Sequence, residues 1–368
     1  MIHLITRLPL PYHQTLCRTL HDGLQGNFCA WFAERSNADF PFKAAPELSF
    51  RHHYLSEVGY TDLWHSLKQN PKAAVILGGW SSPMTKRTLL ITSMLRVPVF
   101  IWSDHPHPRK RNRVTATLRE SYLRLLSRAF VRGFLVCGEM TGEHLAEMGI
   151  PRDRIFNFPY WVDLPECWTL PNRCLESDHQ RKPLRLLAVG RHVIGKGFDV
   201  AIRAVKVANE RSGGRAAELV LVGDGPERAN LQHLVASLGL EDSVSFSGWL
   251  ENTAVQSELV RSDALIVPSE FEGYGVAVRE ALAQGRPVLC SDQVIAARDE
   301  RVESNAILLH SFGDAETLAK HILLLARETD LLRNASEEAR RLAEQWQPGR
   351  ALAILRDILP EKTLWSSF

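Results

Sequence analysis

The 368-residue sequence predicts an α/β protein built from two doubly wound domains. Three observations carry this. The length is about twice that of a usual single domain. Short apolar runs alternate with amphipathic helical stretches, the signature of parallel βαβ units. A proline-punctuated stretch, Leu164–Pro183, interrupts that alternation midway and reads as a linker.

In the front half the expected strands are Ile2–Thr6, Phe28–Phe32, Ala74–Gly78, Val97–Trp102 and Gly133–Cys137, with a helix over Arg109–Val131. Behind the linker the rhythm is clearer. Strands are expected at Leu184–Val189, Glu218–Val222, Ser243–Phe246, Leu265–Val267 and Pro287–Cys290. Helices are expected at Gly197–Glu210, Pro226–Leu238, Asn252–Val260 and Val276–Gln284. The tail from Asp314 to Leu359 reads as mostly helical. The domains are therefore drawn as 1–165, a linker at 166–183, 184–345, and a final helix in 346–368 that returns to the first domain.

Hydrophobic residues make up 45% and charged residues 23%, as in ordinary globular proteins. The net charge of +2 hides an asymmetry. Residues 1–165 hold 20 Lys and Arg against 13 Asp and Glu, or +7, and the remainder holds 24 against 29, or −5. Two domains with different partners fit that split. The six cysteines show no C-x-x-C pair and no metal-ligand spacing, so they read as small apolar side chains. The start lacks the pattern of a secretory signal, and no apolar run approaches the ~20 residues that span a bilayer. A cytoplasmic protein is expected.

The sharpest local pattern is Pro268-Ser-Glu-Phe-Glu-Gly-Tyr-Gly-Val-Ala-Val-Arg-Glu280. A buried strand ends at Pro268, glycines 273 and 275 permit close approach of backbone to a ligand, and a helix follows. The free N–H groups and positive end of that helix suit a phosphate. Glu272 in the loop and Glu280 in the helix can accept hydrogen bonds from hydroxyls. Leu187-Ala-Val-Gly-Arg191 ends the first strand of the same domain, and Gly195-Lys-Gly197 precedes a helix. Arg191 can grip a phosphate bidentately while Lys196 acts as a point charge, and together they would stabilise a departing diphosphate. Each pattern alone also fits a solvated turn at a helix start. Val222-Gly-Asp-Gly-Pro226 is read as a structural turn.

Taken together, VGRHVIGKG (189–197), LVGDGP (221–226), VSFSGWL (244–250) and PSEFEGYGVAVREALAQGRPVLCSD (268–292) resemble the donor domain of the GT-B glycosyltransferases, specifically the retaining group called family 4. The resemblance covers about Leu184–Asp292 in the right order. It implies a GT-B fold, two Rossmann-like domains with an intervening cleft, and a hexosyltransferase-type enzyme that retains anomeric configuration. A UDP- or GDP-sugar would be donor, and a glycan or lipid-linked molecule acceptor, as in cell-surface polysaccharide or glycolipid synthesis. By the same resemblance Arg191 and Lys196 hold the pyrophosphate and Glu272 contacts sugar hydroxyls. Gly190, Gly273, Tyr274, Gly275 and Val276 line the donor, and Glu280 binds the ribose. No D-x-D occurs, so cations and a helix end would replace a divalent metal, and no cofactor besides the nucleotide-sugar substrate is expected. A catalytically silent nucleotide-sugar-binding subunit is the alternative. A dinucleotide-dependent oxidoreductase would need a G-x-G-x-x-G spacing that Gly190–Gly197 does not have.

The front half is less legible. The loop Arg7–His13 lacks the glycine pair common in this family, so no donor contact is assigned there. Asp104 and His105 follow a strong strand, where similar enzymes place groups facing the sugar, although a polar loop leading into a helix reads equally well. Gly78-Gly-Trp80 is a candidate for the acceptor side. Arg109–Arg132 is strongly basic, with Leu118, Tyr122, Leu125, Leu126 and Phe130 at helical spacing. Such a helix can lie on an anionic membrane surface on the inner face, or pack on a core with a solvated face. No nucleic-acid motif accompanies the charge, and the pI of about 8.2 is low for a dedicated binder, so no nucleic-acid partner is expected.

Overall fold

Continuous apolar runs become strands buried on both faces, which is what a parallel sheet covered by helices demands. In the computed structural model, residues 1–36, 48–106, 113–175, 182–299 and 304–359 are described. They form two compact units, one of Met1–Trp161 together with the chain from Gln347, the other of Val162–Trp346.

The first unit runs β1 (Ile2–Thr6), α1 (Pro11–Gly23), β2 (Phe28–Phe32), β3 (His52–Tyr54), α2 (Leu55–Gln69), β4 (Ala74–Gly78), α3 (Pro83–Leu95), β5 (Val99–Ser103), α4 (Arg113–Ala129), β6 (Gly133–Val136), α5 (Glu139–Glu147) and β7 (Ile155–Asn157). Its seven strands lie in the order β3-β2-β1-β4-β5-β6-β7, all parallel. Every residue of β1 and β2 is buried. Ser82 starts α3 by accepting a hydrogen bond from the Thr85 amide, and Pro83 occupies the first helical position, where its missing N–H costs nothing.

The second unit runs β8 (Leu184–Val189), α6 (Phe198–Ser212), β9 (Ala217–Val222), α7 (Arg228–Ser237), β10 (Val244–Gly248), α8 (Asn252–Arg261), β11 (Ala264–Val267), α9 (Val276–Ala283), β12 (Val288–Ser291), α10 (Ile295–Asp299), β13 (Ile307–His310), α11 (Ala315–Arg327) and α12 (Thr329–Glu344). The strand order is β10-β9-β8-β11-β12-β13, again parallel throughout. The order reverses between β8 and β11, so the loops that leave these two strands diverge and open a crevice at their carboxyl ends. Its core joins Leu184, Leu186 and Ala188 of β8 to Val205 of α6 and Ile322 of α11.

After α12 the chain returns to the first unit as α13 (Arg350–Ile358), which packs on α1. The contact is close: a Cβ at Gly23 would lie 2.1 Å from the Leu352 side chain.

The stretch read as a linker is folded onto the second unit. Arg173 is buried and donates to the carbonyls of Lys182 and Ala326. Arg286 reaches the Thr169 carbonyl at 2.7 Å, and Trp168 packs against Gly285. Residues 176–181 lie outside the described residues. Five cysteines are buried and Cys167 is exposed.

Candidate functional site

The site grows from the two loops that diverge at the β8/β11 switch. The first, Gly190–Gly197, ends in a glycine with φ of +67°, whose Cβ, were it present, would stand 2.1 Å from the Pro268 carbonyl oxygen. Only glycine fits that left-handed, crowded position. The loops are then stitched together, since the Glu270 amide donates to the Gly195 carbonyl at 2.8 Å. This backbone contact carries Lys196 across to the second loop. Its Nζ lies 2.6 Å from Glu272 Oε1, which also accepts from Ser269 Oγ at 2.7 Å. Both partners of the ion pair keep some solvent access, with side chains 25% and 18% exposed, so an arriving ligand can reach them.

The second loop turns through Gly275 (φ +99°) directly into α9, and Val294 sits where a Cβ would be. The helix has no side-chain cap, so its first N–H groups and its positive end address the loop. One turn in, Glu280 is half-buried, and burial pushes its carboxyl up to about 7. Arg191 is exposed at the strand end, next to Gly190. The structure thus brings Gly190, Arg191, Lys196, Glu272, Gly273, Gly275, Val276 and Glu280 into one loop pair and helix start.

Tyr274 takes a different part. Its side chain is 2% exposed, its ring lies under the Arg279 guanidinium at 5.2 Å, and Arg279 in turn covers Trp346 at 4.3 Å. The Tyr274 carbonyl accepts from the Ala296 amide at 2.8 Å. The side chain therefore anchors α9, and only main-chain atoms remain for a ligand.

Two residues with no sequence signal of their own complete the arrangement. Ser269 orients Glu272 as described. His192 is fully buried between Phe198 and Phe246, with ring centroids at 5.1 and 6.1 Å. Its amide donates to the Asp224 carbonyl (2.9 Å) and its carbonyl accepts from Glu227 (3.0 Å). The glycine turn after β9 thereby holds the Arg191 loop in place. Asp224 itself bonds the Gly225 amide and Arg228, the behaviour of a turn residue. A cavity of about 530 Å³ lies against another side of this loop, lined by Ile194, Gly195, Glu270 and Phe312, and neither Lys196 nor Glu272 lines it.

In the first unit Asp104 and His105 separate. Asp104 lines a cavity of about 460 Å³ with Gly79, Trp80, Lys86, Arg119 and Tyr122. Burial raises its carboxyl, partly offset by a hydrogen bond with Tyr160. His105 does not line this cavity. Its ring packs at a tilt against His144, with centroids 5.1 Å apart, and burial, then His144 and Arg119, lower its pKa to about 4, so the ring is neutral near pH 7. In the Arg7–His13 loop, His13 is buried and bonded to the Leu8 carbonyl at 2.8 Å. Within the basic stretch, Arg109, Lys110 and Arg111 lie outside the described residues. In α4, Leu126 is buried, whereas Leu118 and Leu125 are 64% and 56% exposed. Among the described residues no helix is long and apolar enough to cross a membrane, and no group of His, Cys, Asp and Glu has the makings of a metal site.

Two parallel, helix-covered sheets in tandem define the class: this is a two-domain α/β protein of the GT-B type. A crystal structure of Anabaena Alr3699/HepE in complex with UDP superposes with a TM-score of 0.74 over 97% of this chain and 98% of that one. At 16% identity, that likeness speaks for the fold alone. Residues 176–342 match the family model described as glycosyl transferases group 1, a span that contains the whole loop pair. The amylovoran biosynthesis glycosyltransferase AmsK of Erwinia amylovora is 32% identical over 196 residues, 51% of this chain and 46% of AmsK. The lipopolysaccharide core biosynthesis glycosyltransferase LpsD of Rhizobium meliloti is 39% identical over 106 residues, 29% of each chain. The chain thus spans less than half the length of the curated relatives it matches here.

Proposed function

We propose that this protein is a retaining glycosyltransferase that moves a sugar from a UDP- or GDP-sugar to a glycan or lipid-linked acceptor in the synthesis of a polysaccharide or other glycoconjugate. The single observation that carries the reading is the 2.6 Å pair between Lys196 and Glu272, which joins the two family-like loops at the topological switch of the second sheet. A cation and a carboxylate at one point match a ligand that is phosphate on one side and hydroxyl on the other. The match of residues 176–342 to a glycosyltransferase family supports the same reaction.

In this reading Arg191, Lys196 and the start of α9 hold the diphosphate. Glu272, oriented by Ser269, accepts from sugar hydroxyls, and Glu280 accepts from the ribose. The bond between the anomeric carbon and the diphosphate oxygen breaks as the acceptor oxygen bonds to that carbon on the same face. The acceptor proton passes to the departing diphosphate. Negative charge grows on the phosphate oxygens during this step, so cations already in position stabilise the transition state more than the ground state. The same cations supply what a divalent metal would, and turnover is expected without one. No cofactor other than the donor takes part.

A thermal-shift comparison of UDP, GDP and ADP tests the donor assignment, because a ligand that binds only the folded state raises its apparent stability. A rise with UDP or GDP, lost in Lys196→Ala, is the expected result. No shift with any of them would count against the nucleotide-sugar reading.

The basic Arg109–Arg132 region supports peripheral contact with an anionic membrane on its inner face, since α4 exposes Leu118 and Leu125 beside Arg124 and Arg128. Flotation with phosphatidylglycerol vesicles, and not with phosphatidylcholine vesicles, is expected. Absence from both fractions removes the idea.

A further inference from the structure

The cavity between α3 and α4 has a chemistry of its own. Successive crossovers β4–α3–β5 and β5–α4–β6 run in one direction across the sheet, so right-handed connection places both helices side by side on one face. Their N-terminal halves flank the cavity at the carboxyl ends of β4 and β5. Gly79 turns the chain there with φ +78°, and nothing stands within 4 Å of where its Cβ would be, so the turn opens onto free space.

Two cations enter this space from opposite walls. Lys86 comes from the first turns of α3, is exposed, and forms no ion pair among the described residues. Arg119 comes from α4 and is held in place: one Nη lies 2.9 Å from His144 Nε2 and 3.3 Å from Met148 Sδ. Burial, then Arg119, lower the His144 pKa, and neither of these two anchors is a carboxylate. The positive end of α3 adds to the same side. Against them stands Asp104, whose ionisation burial opposes and whose carboxyl is engaged by Tyr160. Trp80 and Tyr122 add aromatic surface to the lining, beside Ser81, Ser103 and Pro106. Trp80 and Tyr122 are half-buried and tied together by the Tyr122 hydroxyl donating to the Trp80 carbonyl at 3.1 Å.

We infer that this cavity binds a sugar carrying an acidic group, a carboxylate or a phosphate, as the acceptor. The inference rests on the transferase reading for the word acceptor, and on the cavity alone for the anionic sugar. Aromatic faces receive the C–H side of a sugar ring, Asp104 accepts from a hydroxyl, and Lys86 with Arg119 holds the acid. At about 460 Å³ the space suits one or two sugar rings, within the range of small-molecule sites.

Calorimetric titration of the whole protein with glucuronate, glucose 6-phosphate and glucose tests this, with UDP or GDP present in excess to occupy the other unit. At least one anion is expected to bind about tenfold or more tightly than glucose, and which one binds separates carboxylate from phosphate. Lys86→Gln should weaken the anion at least fivefold and leave the weak glucose binding alone, while Lys86→Arg should restore it. Lys86 is exposed, so neither variant threatens the fold, and Arg119→Gln serves as a second, riskier one. Equal affinity for glucose and both anions, or an unchanged anion affinity in Lys86→Gln, overturns the proposal. Nucleotide binding to the unaltered protein is measured separately. If it fails, the transferase reading falls, while the sugar titration repeated without nucleotide still decides the cavity.

Discussion

Lys196 and Glu272 neutralise one another across two loops that are 76 residues apart in sequence. A diphosphate-sugar would draw the ammonium to phosphate and the carboxylate to hydroxyls, so the pair keeps both groups aimed and partly desolvated before the ligand arrives. Lys196→Ala should lower turnover roughly 10²–10³-fold, the usual loss for one donor that stabilises a developing oxyanion. Glu272→Gln should act similarly, and the double variant should lose less than the product of the two, because the partners act as a unit. Steady-state rates of donor hydrolysis or transfer would measure this. Near-normal rates in both single variants would refute the site.

Glu280 makes the protein sensitive to pH. Burial lifts its carboxyl from an ordinary 4.5 to about 7. The native state then binds more protons than the unfolded chain between those values, so stability falls as pH rises through that window. Melting temperature should decline from about pH 5 to about pH 8, and Glu280→Gln should flatten the decline. A ribose that donates hydroxyls to the ionised form should bind more tightly as pH rises and release a proton on binding. Calorimetry in buffers of different ionisation enthalpy detects that proton, and no buffer dependence would remove Glu280 from the ribose role.

Gly197→Ala should be among the most damaging single changes in the second unit. It forces a Cβ to within 2.1 Å of the Pro268 oxygen at a left-handed φ. Strained φ alone costs about 1–3 kcal/mol, and the clash must move one loop from the other. Thermal melts should fall by several degrees, and nucleotide binding should weaken with them.

Arg286 is a structural counterpart. It is buried and donates to the carbonyls of Leu259, Thr169, Gln284 and Val260, which ties the stretch after β7 to α8 and α9. Burial lowers its pKa only to about 10, so it stays charged at neutral pH. Arg286→Met leaves those carbonyls without a donor and should cost on the order of 3 kcal/mol, read from denaturant unfolding.

Metal independence is tested directly by assay in excess EDTA. Full activity is expected, and activity abolished by EDTA but restored by Mg²⁺ or Mn²⁺ would show that Arg191 and Lys196 do not suffice.

What the sequence revealed follows from how local each signal is. The strands Ile2–Thr6, Phe28–Phe32, Ala74–Gly78 and Leu184–Val189 appear as expected, because a buried parallel strand is itself an apolar run. The three-residue strands His52–Tyr54 and Ile155–Asn157 escaped notice. They sit at the sheet edges, partly exposed except for Tyr54, and carry no such run. Glycines beside charges made Arg191, Lys196 and Glu272 visible within single loops. Ser269 and His192 were invisible because their partners arrive through folding. The cavity in the first unit was legible only in part: Trp80 and Asp104 stood out at strand ends, whereas Lys86, Arg119 and Tyr122 join them only when two successive crossovers fold together.

The return of α13 to α1 gives the chain an order of completion during synthesis. In unit one the packing against Gly23 waits for Leu352, whereas the described residues of unit two all lie between Val162 and Trp346. At roughly 5–20 residues per second, the Gly23 side of α1 waits tens of seconds for α13 to leave the ribosome. Unit one is thus finished only after unit two, and a translation product interrupted between Trp346 and Leu352 would lack the α13 side of the first unit.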